Sequence, residues 1–356
     1  MAAIGGAQRF SQLSLVERIG PISVSIGRFA LVMAIAVAVF AAILVVDGHD
    51  AVNALRVMYN TSIGSEFGRQ EILVKLIPFG LCALATAIPA RAGLINVGGE
   101  GQFYMGAFAA SGVILFSGLP LGLLLPAAFV AGALGGGAWA GLTALLRIKG
   151  NVNEAISSLL LNYVAIQIVN YFVYGPWRDP EGPAWPYTRL FPDAAALPVI
   201  YGGRVTAGIL IFAVILVAMF VVYRYTRIGF RARIVGGNAV AAERTGINVG
   251  KYLFWSLAIG GAVAGLAGMA EVAGIQGRLR SGISVQYGYI GFLASWLGGH
   301  GPLGILAAVL LFGAISVGGD GLQIGASLPA STVNILMSLI LFGVLASRKN
   351  VFKVGG

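Results

Sequence analysis

Residues 205–223 read VTAGILIFAVILVAMFVVY, nineteen positions without a charge, and are followed at once by RYTRIGFRAR at 224–233, which holds four arginines. As a helix rising about 1.5 Å per residue, such a run covers about 28 Å, close to the ~30 Å of hydrocarbon in a bilayer. A basic flank marks the end of a spanning segment that stays on the cytoplasmic side. The stretch is therefore read as a transmembrane helix that exits inward, and the rest of the chain is oriented from it.

Uncharged or nearly uncharged stretches of similar length fall at 29–46, 72–90, 101–119, 121–146, 155–175, 252–270, 281–299, 301–319 and 321–347, with Lys75 the one charge inside 72–90. They predict an all-α polytopic membrane protein of about ten transmembrane helices. The glycine-rich stretches 101–119 and 281–299 are either full spans or broken, re-entrant helices. Composition agrees, with 58% hydrophobic side chains, 10% charged ones and a mean hydropathy of +0.89, against about 25% charged in soluble domains. Such hydrophobicity excludes disorder. The 53 glycines show no three-residue period, which excludes collagen. A single cysteine, Cys82, excludes an intrachain disulfide and a cysteine-based metal cluster, and His49 and His300 leave little for a zinc site.

With the N-terminus inside, cytoplasmic segments hold 15 of the 23 basic residues against four acids, a net of +11. The other side holds eight of each, and Glu271 lies within a span. Both termini are then cytoplasmic, as an even number of spans requires. The formal net charge of +10 is thus an orientation signal and no nucleic-acid footprint. Residues 1–27, with Arg9, Glu17 and Arg18, lack the apolar core of a signal peptide. They form a cytoplasmic segment, either a loosely ordered tail or a short interfacial helix over Phe10 to Ile19. One membrane domain follows over 28–347, and a basic cytoplasmic tail closes the chain at 348–356.

Within that domain, 176–204 is an external loop rich in proline and aromatics, with Trp177, Trp185 and Tyr187 suited to the membrane interface. Residues 224–251 form a cytoplasmic loop in which Asn238 caps a short helix, AVAAER, that ends before Gly246. A glycine-rich break, RAGLINVGGEG at 91–101, follows the second span, and another, GISVQYGYIG at 282–291, follows the seventh. They fall on opposite faces, as an inverted repeat would have them. Small-residue pairs at Gly132 and Gly136, Gly137 and Gly141, and Gly261 and Gly265 allow close helix approach.

Catalytic motifs are absent: there is no HExxH and no GxxxxGK[ST], and GINVGK at 246–251 is too short for a phosphate loop. What remains is polar side chains at membrane depth, which are costly and usually face a cavity or a partner. The run Asn96-Val-Gly-Gly-Glu100-Gly-Gln102 places a carboxylate and two amides in a flexible break at a span end. On the fifth span, at about 100° per residue, Tyr163, Gln167, Asn170 and Tyr174 fall within about 60° of one another. Amides and phenols on one stripe either hydrogen-bond and stack a polar, planar or polyhydroxylated solute, or bond to neighbouring helices. Asn162 lies about 80° from the stripe and turns toward another helix. Glu271, near the end of the seventh span, is either a cavity residue or an interfacial carboxylate.

A family resemblance runs through the same residues. PARAGLINVGGEGQ at 89–102 resembles the signature of the permease subunits of bacterial ABC importers for nucleosides and simple sugars, within the branched-chain amino acid and ribose-type permease superfamily. NEAISSLLLNY at 153–163 is similar to the nucleoside branch in particular. GFRARIVGGNAVAAERTGI at 229–247, followed by GGAVAGLAG at 260–268, resembles the family's cytoplasmic loop and the helix after it. The resemblance implies a bacterial inner-membrane permease that itself binds no cofactor, with ATP and Mg²⁺ held by a separate ATPase subunit. It further implies a second permease, identical or related, and an extracytoplasmic binding protein or lipoprotein. The short helix would dock on the ATPase, oriented by Arg231, Arg233 and Arg244, with Asn238 and Glu243 on the same loop and Val240, Ala241 and Ala242 filling the contact. The solute path would run among Asn96, Glu100, Gln102, Asn162, Tyr163, Gln167, Asn170, Tyr174 and Glu271. The rival reading is an autonomous secondary transporter or channel, against which stands the scarcity of intramembrane acids, Glu271 and Glu100 alone.

Overall fold

The computed structural model describes Gly27 and residues 29–182, 185–325, 328–329 and 331–347. The expected interfacial stretch Phe10 to Ile19 and the tail 348–356 lie outside the described residues. In chain order the helices are α1 (Phe29–Val46), α2 (Ala51–Thr61), α3 (Glu66–Ala90), α4 (Gly99–Phe116), α5 (Leu121–Gly150), α6 (Glu154–Tyr174), α7 (Gly208–Tyr225), α8 (Arg227–Gly237), α9 (Ala239–Arg244), α10 (Val249–Glu271), α11 (Tyr287–Leu297), α12 (Pro302–Gly325) and α13 (Ser331–Ser347). A π-helical turn, Val272–Gln276, continues α10, and a two-stranded hairpin, β1 (Val199–Tyr201) with β2 (Val205–Thr206), lies between α6 and α7.

Seven of these helices are long and apolar enough to cross a membrane: α1, α3, α5, α6, α7, α10 and α12. The chain is a multi-pass membrane protein. The other three expected stretches, 101–119, 281–299 and 321–347, fall mainly on α4, α11 and α13, which are shorter or less apolar. The stretch 281–299 is helical only over the eleven residues of α11, because the backbone from 277 to 286 is irregular. The stretch 101–119 is the 18-residue α4, whose first six residues are all buried between other helices. The boundary placed at Asp320 also moves: α12 runs through it to Gly325, since one acid does not end a helix, and α13 is a shorter apolar helix.

Local signals set the helix ends. The Ser65 hydroxyl accepts from Gly68 N–H at 2.9 Å to start α3, and Asn153 accepts from Ala155 and Ile156 N–H to start α6. Asn151 ends α5 in the left-handed region, at φ 50°.

The described residues form two compact units, one of 29–59 with 318–347 and one of 60–317. In the smaller, Gly318 lies against Met58 and Gly319 against Val333. In the larger, α10 is central and packs on α3, α4 and α5. The expected small-residue pairs meet here: Gly265 of α10 touches Gly136 and the Gly132 carbonyl of α5, an approach no Cβ would permit. The pairing of elements is crosswise. α3 packs along α11 and α10 along α4, and each long helix leads through an irregular segment, 91–98 or 277–286, into its short one.

The 176–204 loop is folded onto this unit. Trp177 stacks on Phe108 with ring centroids 4.4 Å apart and planes 6° apart. Thr188, Phe191 and Leu197 N–H groups donate to the carbonyls of Leu279, Gly277 and Ala273. The loop thus closes over the end of α10.

Candidate functional site

Two short helices begin face to face in the middle of the large unit. The first residues of α4 and α11 touch, and a Cβ on Gly288 would collide with the backbone of Glu100. The Glu100 carboxylate accepts from Gly288 N–H at 2.7 Å, and Ser284 accepts from Tyr287 N–H at 2.9 Å. Both acceptors supply what the start of a helix lacks, partners for its first N–H groups. Gly291 of α11 abuts Cys82 and Ala83, about two-thirds of the way along the 25-residue α3.

The break before α4 is held by a closed set of amide bonds. Asn96 Nδ2 donates to the Ala85 carbonyl at 3.2 Å and to Gln102 Oε1 at 3.0 Å. Its Oδ1 accepts from Gly98 N–H at 3.0 Å and from Gln102 Nε2 at 2.9 Å. Asn162, reaching across from α6, accepts from Gly101 N–H at 2.8 Å and donates to the Val97 carbonyl and the Tyr289 hydroxyl. Asn96, Glu100, Gln102 and Asn162 are all buried. Irregular backbone buried among helices survives because side chains satisfy it.

The α6 stripe is elsewhere. Tyr163, Tyr171 and Tyr174 are 61%, 69% and 60% exposed and Gln167 is exposed with them. A shallow groove of about 470 Å³ runs past Tyr163, Gln167, Tyr171 and Phe172. Asn170, on the same helix and half-buried, accepts at its Oδ1 from Ser281 Oγ at 2.9 Å, tying α6 to the irregular segment before α11. The nine expected path residues are therefore divided. Four lock the junction, four follow the outward face of α6, and Glu271 is buried at the π-helical turn, accepting from Gln276 Nε2 at 2.8 Å. Tyr171, Ser284, Gly288 and Tyr289 were missed. Tyr171 falls one turn beyond Gln167 and a wider stripe would include it, whereas Ser284 and Tyr289 carried no periodic signal.

In the 224–251 stretch, α8 and α9 form an elbow. Asn238 Oδ1 accepts from Ala241 N–H at 2.9 Å, so the cap read from the sequence is present. The preceding helix α8 was expected as loop; Thr226 caps it through Gly229 N–H, and Ala232 and Val235 bury one face. Ala242, expected in a partner contact, is fully buried against Val235 and Val249 and holds α9 onto the bundle. Val240, Ala241, Glu243, Arg244, Arg231 and Arg233 are exposed. The elbow rests directly on the start of the break: a Cβ on Gly236 would come within 2.6 Å of the Arg91 carbonyl. Arg91 in turn donates to the His300 carbonyl at 3.0 Å and lies over the Tyr223 ring.

The model of the family described as branched-chain amino acid transport system / permease component matches residues 69–345. The chain is 36% identical over 343 residues to the glucose ABC transporter permease protein TsgB13 of Haloferax volcanii, covering 93% of this chain and 90% of that one. It is 29% identical to the guanosine ABC transporter permease protein NupP of Bacillus subtilis, over 88% and 91% of the two chains. It is 26% identical to the nucleoside ABC transporter permease protein NupB of Lactococcus lactis, over 85% of each. No solved structure is significantly similar to it.

Proposed function

The chain belongs to the family of permease components of branched-chain amino acid transport systems, and on that premise we propose that it is the membrane-spanning subunit of an ATP-driven importer whose solute is a nucleoside. One observation carries the solute path: α6 turns three tyrosines and an amide outward from the bundle. Facing hydrocarbon, such a stripe would be costly, so it faces water or protein. A second permease, identical or related, would supply the opposite wall. Phenol rings can stack a planar base while Gln167 and Asn170 bond its edge and the ribose hydroxyls. An extracytoplasmic binding protein would deliver solute at the external loop, and the subunit would reside in the cytoplasmic membrane with both termini inside.

ATP and Mg²⁺ belong in this reading to a separate ATPase subunit that grips α9 and its neighbours Arg233, Val240, Ala241, Glu243 and Arg244. Displacement of the elbow would be felt through Gly236 at Arg91, and so along 91–98 to the junction of α4 and α11. Two crosswise halves, α3 with α4 and α10 with α11, form an inverted repeat about that junction, the arrangement in which one half rocks against the other. The interior amides and Glu100 keep the junction intact while access alternates.

A simple sugar is the second reading, favoured by the 36% identity to a glucose permease. Competition for guanosine uptake by adenosine, uridine, ribose and glucose, in cells expressing the assembled importer, separates the two. Nucleosides are expected to compete and free sugars to have no effect at equal concentration. Competition by glucose alone would make the solute a hexose, and indifference to the whole panel would remove the path from α6.

A further inference from the structure

α7 and α10 both lie against α3 but part from each other, leaving a cleft of about 910 Å³ with Ile88 at its back. Its walls along the helices are apolar: Ile215, Met219 and Val222 on α7, and Ile259, Val263 and Leu266 on α10. The lip has other chemistry. Arg231 comes from α8, Thr245 from the end of α9, and Asn248, Lys251 and Tyr252 from the start of α10. Arg231 and Lys251 are exposed, and no acidic side chain is among the described residues that line the cleft. The lip also receives the N-terminal end of the 23-residue α10, whose partial positive charge adds to that of the two cations. Trp255 and Ile259 line the cleft while remaining half exposed, at 52% and 50%, so it opens sideways as well as inward.

These features identify the occupant by depth. Lys251 and Leu266 are separated by about 22 Å of helix at 1.5 Å per residue. One leaflet supplies roughly 15 Å of hydrocarbon. A slot that is cationic at the cytoplasmic level and apolar for the depth of a leaflet matches a single lipid molecule. A polar solute would find no side-chain hydrogen-bond partner along the walls deeper than Ser256. We propose that this cleft is a binding site for an anionic phospholipid of the cytoplasmic leaflet, with its phosphate between Arg231 and Lys251 and an acyl chain along Met219, Ile259 and Val263. The site rests on the inward orientation of the elbow and is independent of which solute the protein carries.

Trp255 provides the reporter. The full chain, purified with its ATPase partner, is reconstituted into phosphatidylcholine vesicles containing brominated phosphatidylglycerol or brominated phosphatidylcholine. The quenching at Trp255 is taken as the difference from Trp255→Phe. Phosphatidylglycerol is expected to bind in preference by on the order of 25-fold, about fivefold for each cation. Arg231→Gln combined with Lys251→Gln should bring that ratio near one. Ile259→Phe, which narrows the apolar wall and leaves both cations, should lower the association of the two lipids alike. Equal quenching by both lipids in the unsubstituted protein would overturn the proposal and leave only annular lipid. Quenching no greater than in Trp255→Phe would overturn it too, by showing that protein covers the cleft.

Discussion

Asn96 and Gln167 both carry amides inside the membrane domain, yet the structure gives them opposite surroundings. Every polar group of the Asn96 side chain bonds within the chain, to Ala85, Gly98 and Gln102, and the residue is fully buried. Gln167 is exposed, with a single long contact of 3.5 Å from Asn170. Removing Asn96 would orphan the Gly98 N–H and the Gln102 amide, at about 1–3 kcal/mol for each buried group left unpaired. Asn96→Ala should therefore lower the thermal midpoint of the purified complex by several degrees. Gln167→Ala should leave that midpoint unchanged and reduce uptake several-fold. A normal midpoint for Asn96→Ala, or normal uptake for Gln167→Ala, would reverse the assignment of that residue. Helical spacing alone had put Tyr163, Gln167, Asn170 and Tyr174 on one face, and the structure keeps them there. It could not separate them from Asn96 and Gln102, because the partners of those amides are carbonyls and N–H groups that no wheel displays.

Among the elements, the elbow was the more legible and the junction the less. Asn238 followed by AVAAER announces a capped helix, and α9 occupies those six residues. α8 escaped notice because RIGFRARIVGG has three glycines and three arginines and no apolar repeat; its helicity comes from the Thr226 cap and from packing of Ala232 and Val235. Residues 281–299 leave a full span and a broken helix both open because they carry no charge; α11 covers only the second part, and the backbone before Tyr287 is irregular and is held by Ser284, Thr188 and Asn170. The two faces of α9 make a paired prediction. Ala241→Glu places a charge on the exposed face and should abolish ATPase stimulation and co-purification of the ATPase, without altering the stability of the permease itself. Ala242→Glu buries a charge against Val235 and Val249 and should destabilise the permease even in the absence of the ATPase. Thermal unfolding with and without the partner separates them; identical behaviour of the two variants would mean that α9 has no partner-facing side.

At the scale of the whole molecule, the charge asymmetry of the sequence predicts an orientation that labelling from one side of the membrane tests directly. Single cysteines replacing Arg189 in the 176–204 loop and Arg244 in α9, in a Cys82→Ala background, should react oppositely with an impermeant maleimide in intact cells. The Arg189 side chain is 66% exposed, so reagent can reach that position. Labelling at 189 and protection at 244 are expected, and the reverse pattern would invert the protein.

The central claim is that movement of solute past α6 is driven from the cytoplasmic elbow by ATP. Proteoliposomes holding the permease, its partner permease and the ATPase, with the binding protein outside, allow uptake of radiolabelled guanosine to be followed with and without MgATP inside. Uptake is expected to require MgATP in the lumen, to ignore imposed proton and sodium gradients, and to vanish with Ala241→Glu. Accumulation driven by either gradient without ATP would show an autonomous secondary transporter and contradict the assignment.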